Sequence, residues 1–456
     1  MVAVAFGLLV SACHRVIVPK GEPVERAKAA EAEGVFAVAV NKRPLLNLTT
    51  SVTLPAVLEY AFNSNGDIEA AYREWRAAIE RVPQAGALPD PRLDFSVMFG
   101  PDNLKSFSSF VPGIRLMATQ DFPARGKRAA RAELALDEAQ AAGERFRAAK
   151  YRLQKQVVQA YADAALNESL LRQTSETLRL LREAHEVALH RFHVMAEKGA
   201  GEGLGDLRKI EVEIQTAESE QRSLHIERDK LAAQLNGILN RPPDAALGAL
   251  VFPAIARPGA TDADLFARAV RHNPELAALR KEIEARGAAQ ALAELEKRPD
   301  YGVGGGIESL SPALTAGLTL PVNRARIRAA IAEALAMRRA AESRLRAASS
   351  DVQARVVMAL AGIRDAERIL ADYRGQIIPK TRELLQSQIT TYGSGGGDLL
   401  DILDTQRLLV DFQRLILRAE TDRLRLLAEL EEAMGEDLFA FVGTGRKPSQ
   451  TKRVGL

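Results

Sequence analysis

Between Lys127 and Lys198 the chain contains no proline and one glycine, Gly143. A second stretch, Asn323 to Thr391, has two glycines and one proline, Pro379. At 1.5 Å per residue, a helix over either stretch would be roughly 100 Å long, far beyond the helices of a globular core. Apolar residues recur in sevens: Val157, Ala164, Leu171 and Leu178, then Val356, Ile363, Leu370, Ile377 and Leu384. A strict seven-residue repeat keeps one seam against a neighbouring helix and imposes a supercoil. The abundance of alanine, leucine, arginine and glutamate suits such helices.

The long stretches sit at matching places in two copies of one pattern. T-L-P-A-V-L-E-Y-A (53–61) opens the first copy and A-D-L-F-A-R-A-V (263–270) the second. Each leads through a helical stretch to a Pro-Asp pair, Pro89-Asp90 and Pro299-Asp300. Two short alternating runs follow, then the long helix, then a glycine cluster ending in Gly-Asp-Leu, 205–207 and 397–399, then a closing helix. The seams are offset by 199 residues (157 to 356) and the tripeptides by 192 (206 to 398). The second copy is thus one heptad shorter, a deletion that preserves the packing face. The pattern divides the chain into a first repeat over 53–250, a second over 251–436 and a tail over 437–456.

R-L-D-F-S-V-M-F (92–99) alternates, with Leu93, Phe95, Val97 and Phe99 on one face. Over 113–122, Ile114, Leu116, Ala118 and Phe122 share a face, and after Pro312 so do Leu314, Ala316, Leu318 and Leu320. The partner run Tyr301–Ile307 is glycine-rich, which suits a tightly curved strand. Strands are expected near 92–100, 111–122, 300–308 and 312–321, each about long enough to cross a bilayer when tilted. Four strands cannot close a barrel, and open edges are not tolerated in lipid. Three chains would supply one closed twelve-stranded barrel, continued as a tube by the long helices. The expected fold is therefore mainly α with a small β part, internally duplicated.

The one cysteine, Cys13, excludes a disulfide framework. It follows an uncharged apolar run, and V-S-A-C reads as a bacterial lipobox, with residues 1–12 a signal peptide and 13–52 a lipid-anchored extension. No Lys or Arg precedes the run. No other segment resembles a transmembrane helix.

Little in the chain speaks for bond chemistry. The net charge of +3 argues against nucleic acid as a partner. G-A-G-E-G-L-G (199–205) follows a helix rather than a strand, so the dinucleotide-binding context is missing. His190 and His193, with Met195 nearby, have no third ligand set by spacing. No catalytic residue, metal site or cofactor is expected, and the chain reads as no enzyme. The glycine clusters, Gly199, Gly201, Gly203 and Gly205, then Gly393, Gly395, Gly396 and Gly397, more simply reverse the chain between antiparallel helices. Asp206 and Asp398 would cap the returning helices.

The order, lengths and duplication, over about residues 50–436, resemble the TolC-like outer-membrane efflux proteins. The resemblance implies a homotrimer with a twelve-stranded outer-membrane barrel and a long helical barrel crossing the periplasm. It implies as partners a periplasmic adaptor, met at the two glycine turns, and an inner-membrane pump of the RND type. Tyr392 stands nine residues before Asp401 in L-D-I-L-D-T, as in the family. The resemblance thus implies that Asp401 and Asp404 line the periplasmic gate as carboxylate rings, with Tyr392 beside them. Where the family's arginine precedes the aspartates, this chain has Gly397. A-L-P-D-P-R-L-D-F (87–95) and Q-D-F-P-A-R-G-K-R (120–128) are similar to the heavy-metal cation-efflux branch, against drug, solvent or protein export as other cargoes. A non-channel coiled-coil scaffold is the reading from another class, disfavoured by the alternating strand pairs.

Overall fold

The computed structural model describes residues 16–50, 52–101, 110–197, 204–253, 262–308, 311–393 and 398–438. Cys13, residues 1–12 expected to form a signal peptide, and the residues beyond 438 lie outside them. In chain order come α1 (Glu22–Glu33), α2 (Leu54–Ser64), α3 (Gly66–Gly86), β1 (Arg92–Pro101), β2 (Phe110–Phe122), α4 (Lys127–Glu197) and α5 (Leu204–Ile238). There follow α6 (Asp262–His272), α7 (Pro274–Leu295), β3 (Asp300–Glu308), β4 (Ser311–Thr319), α8 (Arg324–Asp372), a π-helical turn (Tyr373–Ile377), α9 (Ile378–Gly393) and α10 (Leu399–Met434). The chain forms two compact units, and each draws on both halves of the sequence. One takes Met1–Gly34, Glu69–Arg147 and Pro274–Ser350; the other takes Val35–Ile68, Ala148–Asn273 and Asp351–Leu456.

The first unit holds an antiparallel sheet in the order β1-β2-β3-β4. Beside it, Trp75 stacks on Phe146 with ring centroids 5.6 Å apart, and Tyr72 meets Phe146 edge-on at 5.9 Å. The Trp75 indole N–H donates to the buried Glu25 carboxylate at 3.0 Å, which brings α1 into this core. That contact explains the lone glycine of α4. A Cβ on Gly143 would stand 2.8 Å from both Glu25 Oε1 and Trp75 Nε1.

Lys127, the first residue of α4, is buried. Its ammonium lies 3.0 Å from Asp300 and 3.3 Å from Glu296, and Asp300 Oδ1 also accepts the Ala124 N–H at 2.6 Å. A buried ammonium is tolerable only when paired and hydrogen-bonded. One cation thereby ties the β2–α4 corner to the α7–β3 corner.

In the second unit, the Tyr161 hydroxyl lies 2.6 Å from the Val251 carbonyl and 2.8 Å from that of Val52, and accepts the Val251 N–H at 3.2 Å. The segment before α2 and the segment after α5 are joined there by a Val52–Leu250 bridge. The first heptad seam is buried as its spacing requires: Val157, Ala164, Leu171 and Leu178 all face inward.

The second seam departs from the sequence expectation after Leu370. Ile377 is half-buried and Leu384 is 50% exposed, whereas Ile378 is buried and Leu385 half-buried. The cause is the π-helical turn, where the Ile378 N–H bonds the Tyr373 carbonyl five residues back. Pro379 follows at once. A proline ring clashes with the carbonyl four residues before it and offers no N–H, and a wider turn relieves both. The turn inserts one residue, so the seam steps from Leu370 to Ile378, eight rather than seven. Ile378 then packs with Leu370, Ile416 and Ala419, flanked by Tyr373 and Phe412.

Two predictions follow from the first unit. Alanine is the better helix former by about 1 kcal/mol, yet Gly143→Ala must displace the buried Trp75–Glu25 pair. We expect a net loss of about 1–3 kcal/mol, read as a lower Tm by circular dichroism; a higher Tm would reject the close-contact account. Asp137 on α4 is desolvated and stands near Glu284 and Glu133, which together push its carboxyl up from 3.8 to about 6 against the pull of Lys281. The folded pKa lies above the unfolded one, so the ionised carboxylate costs stability near neutrality. That cost fades as pH falls through about 6 and is absent below the unfolded value of 3.8. Asp137→Asn should therefore stabilise the protein by roughly 1 kcal/mol at pH 7.5, allowing for partial solvent screening, and change little at pH 3.5.

Candidate functional site

Two surfaces carry the functional question, one on each unit. On the sheet, the register places apolar residues opposite one another along a single face. Leu93 pairs with Ala118, Phe95 with Leu116 and Val97 with Ile114. Leu116 then pairs with Ile307, Tyr301 with Leu318 and Val303 with Ala316. This face is open to the surroundings, with Phe95 67% and Leu314 87% exposed. The opposite face carries Asp94, Ser96, Arg115, Thr119 and Thr315, with Gly302, Gly304 and Gly306 of β3 among them. The glycines make room for cross-strand neighbours. A Cβ on Gly304 would meet Thr315 Oγ1 at 2.5 Å, and one on Gly306 would meet Met117 Sδ at 2.7 Å. Among the described residues, β1 and β4 are each paired along one side only. No helix of the described residues is long and apolar enough to cross a membrane.

The second surface is the end of the helical unit where α9 leads to α10. Asp398 takes the N-cap of α10 with extended backbone, and its Oδ1 accepts the Leu400 N–H at 3.0 Å. Leu399 and Leu403 pack against a cluster of Ala188, Leu207 and Ile210 from α4 and α5. That anchoring leaves Asp401 and Asp404, three residues apart on one helix face, exposed. Tyr392, at the end of α9, is half-buried.

Asp206 does not occupy the equivalent capping place. Helix α5 begins at Leu204, so Asp206 is its third residue; the helix starts earlier relative to the Gly-Asp-Leu tripeptide than α10 does. Gly205 lies inside the same first turn, and Gly393 ends α9. Gly199, Gly201, Gly203, Gly395, Gly396 and Gly397 lie outside the described residues. His190 and His193 are exposed, and no cluster of His, Cys, Asp and Glu among the described residues is placed to hold a metal.

A pair of cross-helix ion bridges at this end was missed from the sequence. The Arg407 guanidinium bonds Glu213 of α5 and lies 3.8 Å from Asp404. One heptad on, Arg414 meets Glu220 of α5 at 2.8 Å. The signal was present: Arg407 and Arg414 are seven apart, as are Glu213 and Glu220, with opposite charge on two helices of one supercoil.

Residues 57–195, from α2 through both strands of the first hairpin and most of α4, match the sequence model of the outer membrane efflux protein family. The chain resembles the outer membrane efflux proteins in sequence and in fold. The outer membrane protein VceC from Vibrio cholerae superposes with a TM-score of 0.71 at 17% identity, over 84% of this chain and 96% of its own. CusC superposes equally, at 17% identity over 84% and 91%. The Neisseria gonorrhoeae MtrE outer membrane channel, in its open state, gives 0.69 at 19% identity, over 84% and 88%. At these identities the likeness to the efflux channels is one of fold. No curated protein matches the chain in sequence.

The cap at the start of α10 is directly testable. Asp398→Ala removes the bond to Leu400 and should cost about 1 kcal/mol of local helix stability. Amide exchange at Leu400 should quicken about fivefold, the same free energy expressed as a rate, while exchange in the middle of α10 stays unchanged.

Proposed function

We propose that this protein is a passive outer-membrane exit duct of a tripartite efflux system. One observation carries the reading: a sheet with a continuous exposed apolar face and two unpaired edges, on a chain whose long helices have an efflux-protein fold. Backbone groups in a bilayer must be paired within the protein, so an open four-stranded sheet demands partners. Three copies supply twelve strands and close the barrel. The apolar face then meets lipid, and the face with Asp94, Arg115 and the threonines lines the lumen. The element order of α2–α5, met again in α6–α10, supports descent of the chain from an internal duplication. Cys13 would add a lipid anchor to the strands.

The chain does no bond chemistry in this reading. An inner-membrane pump supplies the energy, and a periplasmic adaptor joins the two at the turns between α4 and α5 and between α9 and α10. Asp401, Asp404 and Tyr392 form the periplasmic gate. Threefold symmetry would bring six carboxylates to one mouth, where they attract cations and repel one another. Arg407 is a cation beside Asp404. It screens Asp404 and holds α10 to α5 through Glu213, although an exposed pair of this kind is worth only about 0.2–1 kcal/mol. The 87–95 and 120–128 motifs favour heavy-metal cations as cargo, carried by an RND-type pump; drug or solvent export is the second reading.

Outer-membrane fractions should yield a heat-resistant trimer, and a soluble barrel-free product would reject the duct. In planar bilayers, Asp401→Ala with Asp404→Ala should raise single-channel conductance severalfold and reduce cation preference. Unchanged conductance and selectivity would remove these residues from the gate. Deletion of the gene should sensitise cells to heavy-metal salts, and sensitivity confined to drugs would reassign the cargo.

A further inference from the structure

The end of the sheet that runs into the helices carries a concentration of unpaired positive charge. Strand register pairs Arg92 with Thr119, Phe122 with Tyr301 and Asp300 with Thr319, so the four strand ends form one row. Immediately beyond that row stand Arg125, Lys297, Arg298, Arg324, Arg326 and Arg328, all exposed. Arg298 donates to the Arg125 carbonyl at 2.9 Å, but among the described residues none of the six forms an ion pair. The nearby carboxylates of Glu296 and Asp300 are engaged by the buried Lys127. Exposed acids of the flanking segments are Asp90, Asp121 and Glu294, against these six cations and Arg92.

The charge is continuous with the apolar face. Leu318, Leu320 and Val322 are 58%, 60% and 80% exposed and lead straight into Arg324. Apolar surface ending in a band of guanidinium groups matches a lipid leaflet, where acyl chains end in phosphates. Guanidinium groups bind phosphate oxygens in a bidentate fork, and a basic cluster at a membrane surface selects anionic headgroups.

We propose that this basic collar binds the phosphates of anionic phospholipids in the leaflet nearest the helices. The inference rests on the apolar sheet face lying in a bilayer. It fixes the depth at which the sheet sits and gives the duct a preference among lipids.

The test uses the full chain reconstituted into vesicles of phosphatidylethanolamine mixed with phosphatidylglycerol, then re-extracted in mild detergent. The lipid retained by the protein is quantified by mass spectrometry. Phosphatidylglycerol should be enriched severalfold over its share of the vesicle. The enrichment should fall as sodium chloride is raised, because exposed charges are screened. It should be lost in Arg324→Gln/Arg326→Gln/Arg328→Gln and kept in the corresponding triple lysine variant. Equal lipid ratios for the unmodified and glutamine proteins, both inserted in the bilayer, overturn the collar and leave the duct standing. Failure of the unmodified protein to insert overturns both. Should the glutamine variant not fold, the salt series decides: enrichment indifferent to salt overturns the collar.

Discussion

The seven-residue seam between long helices is the constraint on which the helical unit depends. Near Asp401 and Asp404, burial and exposure among the described residues follow from how the long helices pack. Leu399 and Leu403 go inward against Ala188, Leu207 and Ile210, so Asp401 and Asp404 are left outward. The bridges from Arg407 and Arg414 to Glu213 and Glu220 flank the seam at the same interval. An acidic surface built this way needs no special backbone. It follows from the packing of the neighbouring leucines.

The sheet answers to a different constraint, the pairing of backbone groups. Among the described residues its inner strands pair on both sides and its outer strands on one. The side chains reinforce this by putting large apolar groups on one face and small or polar ones on the other. Glycines in β3 admit Met117, Thr119 and Thr315 against the backbone. The sheet is thus suited to join other strands edge to edge while presenting one face to an apolar medium. At its helical end, Lys127 pairs with Asp300 and Glu296, which ties the strand ends to the helix starts.

Much of this was legible in the sequence because it is periodic. Alternation over 92–99 and 113–122 set the faces of β1 and β2, and heptads set the burial of Val157 through Leu178. Pro379 was visible too, but its consequence was not. Whether a proline kinks a helix, ends it or widens one turn depends on the neighbouring helix that must stay packed. Here α10 offers Phe412 and Ile416 to the shifted Ile378, and the seam steps by one residue. The difference between Asp206 and Asp398 has the same character: an identical tripeptide starts one helix and lies within the other.

The sequence by itself determined the period, the element order and the two-faced strands, since these depend only on spacing along the chain. It also pointed to Asp398 as a cap, a local matter between neighbours. The tertiary structure alone decided the contacts between distant segments. Gly143 is needed because Glu25 and Trp75 arrive there from elsewhere, and Lys127 is buried because Asp300 and Glu296 arrive with matching charge. Arg407 gains its meaning from Glu213, almost two hundred residues away in the chain. Spacing is read one residue at a time, whereas a close approach exists only once two segments occupy the same place.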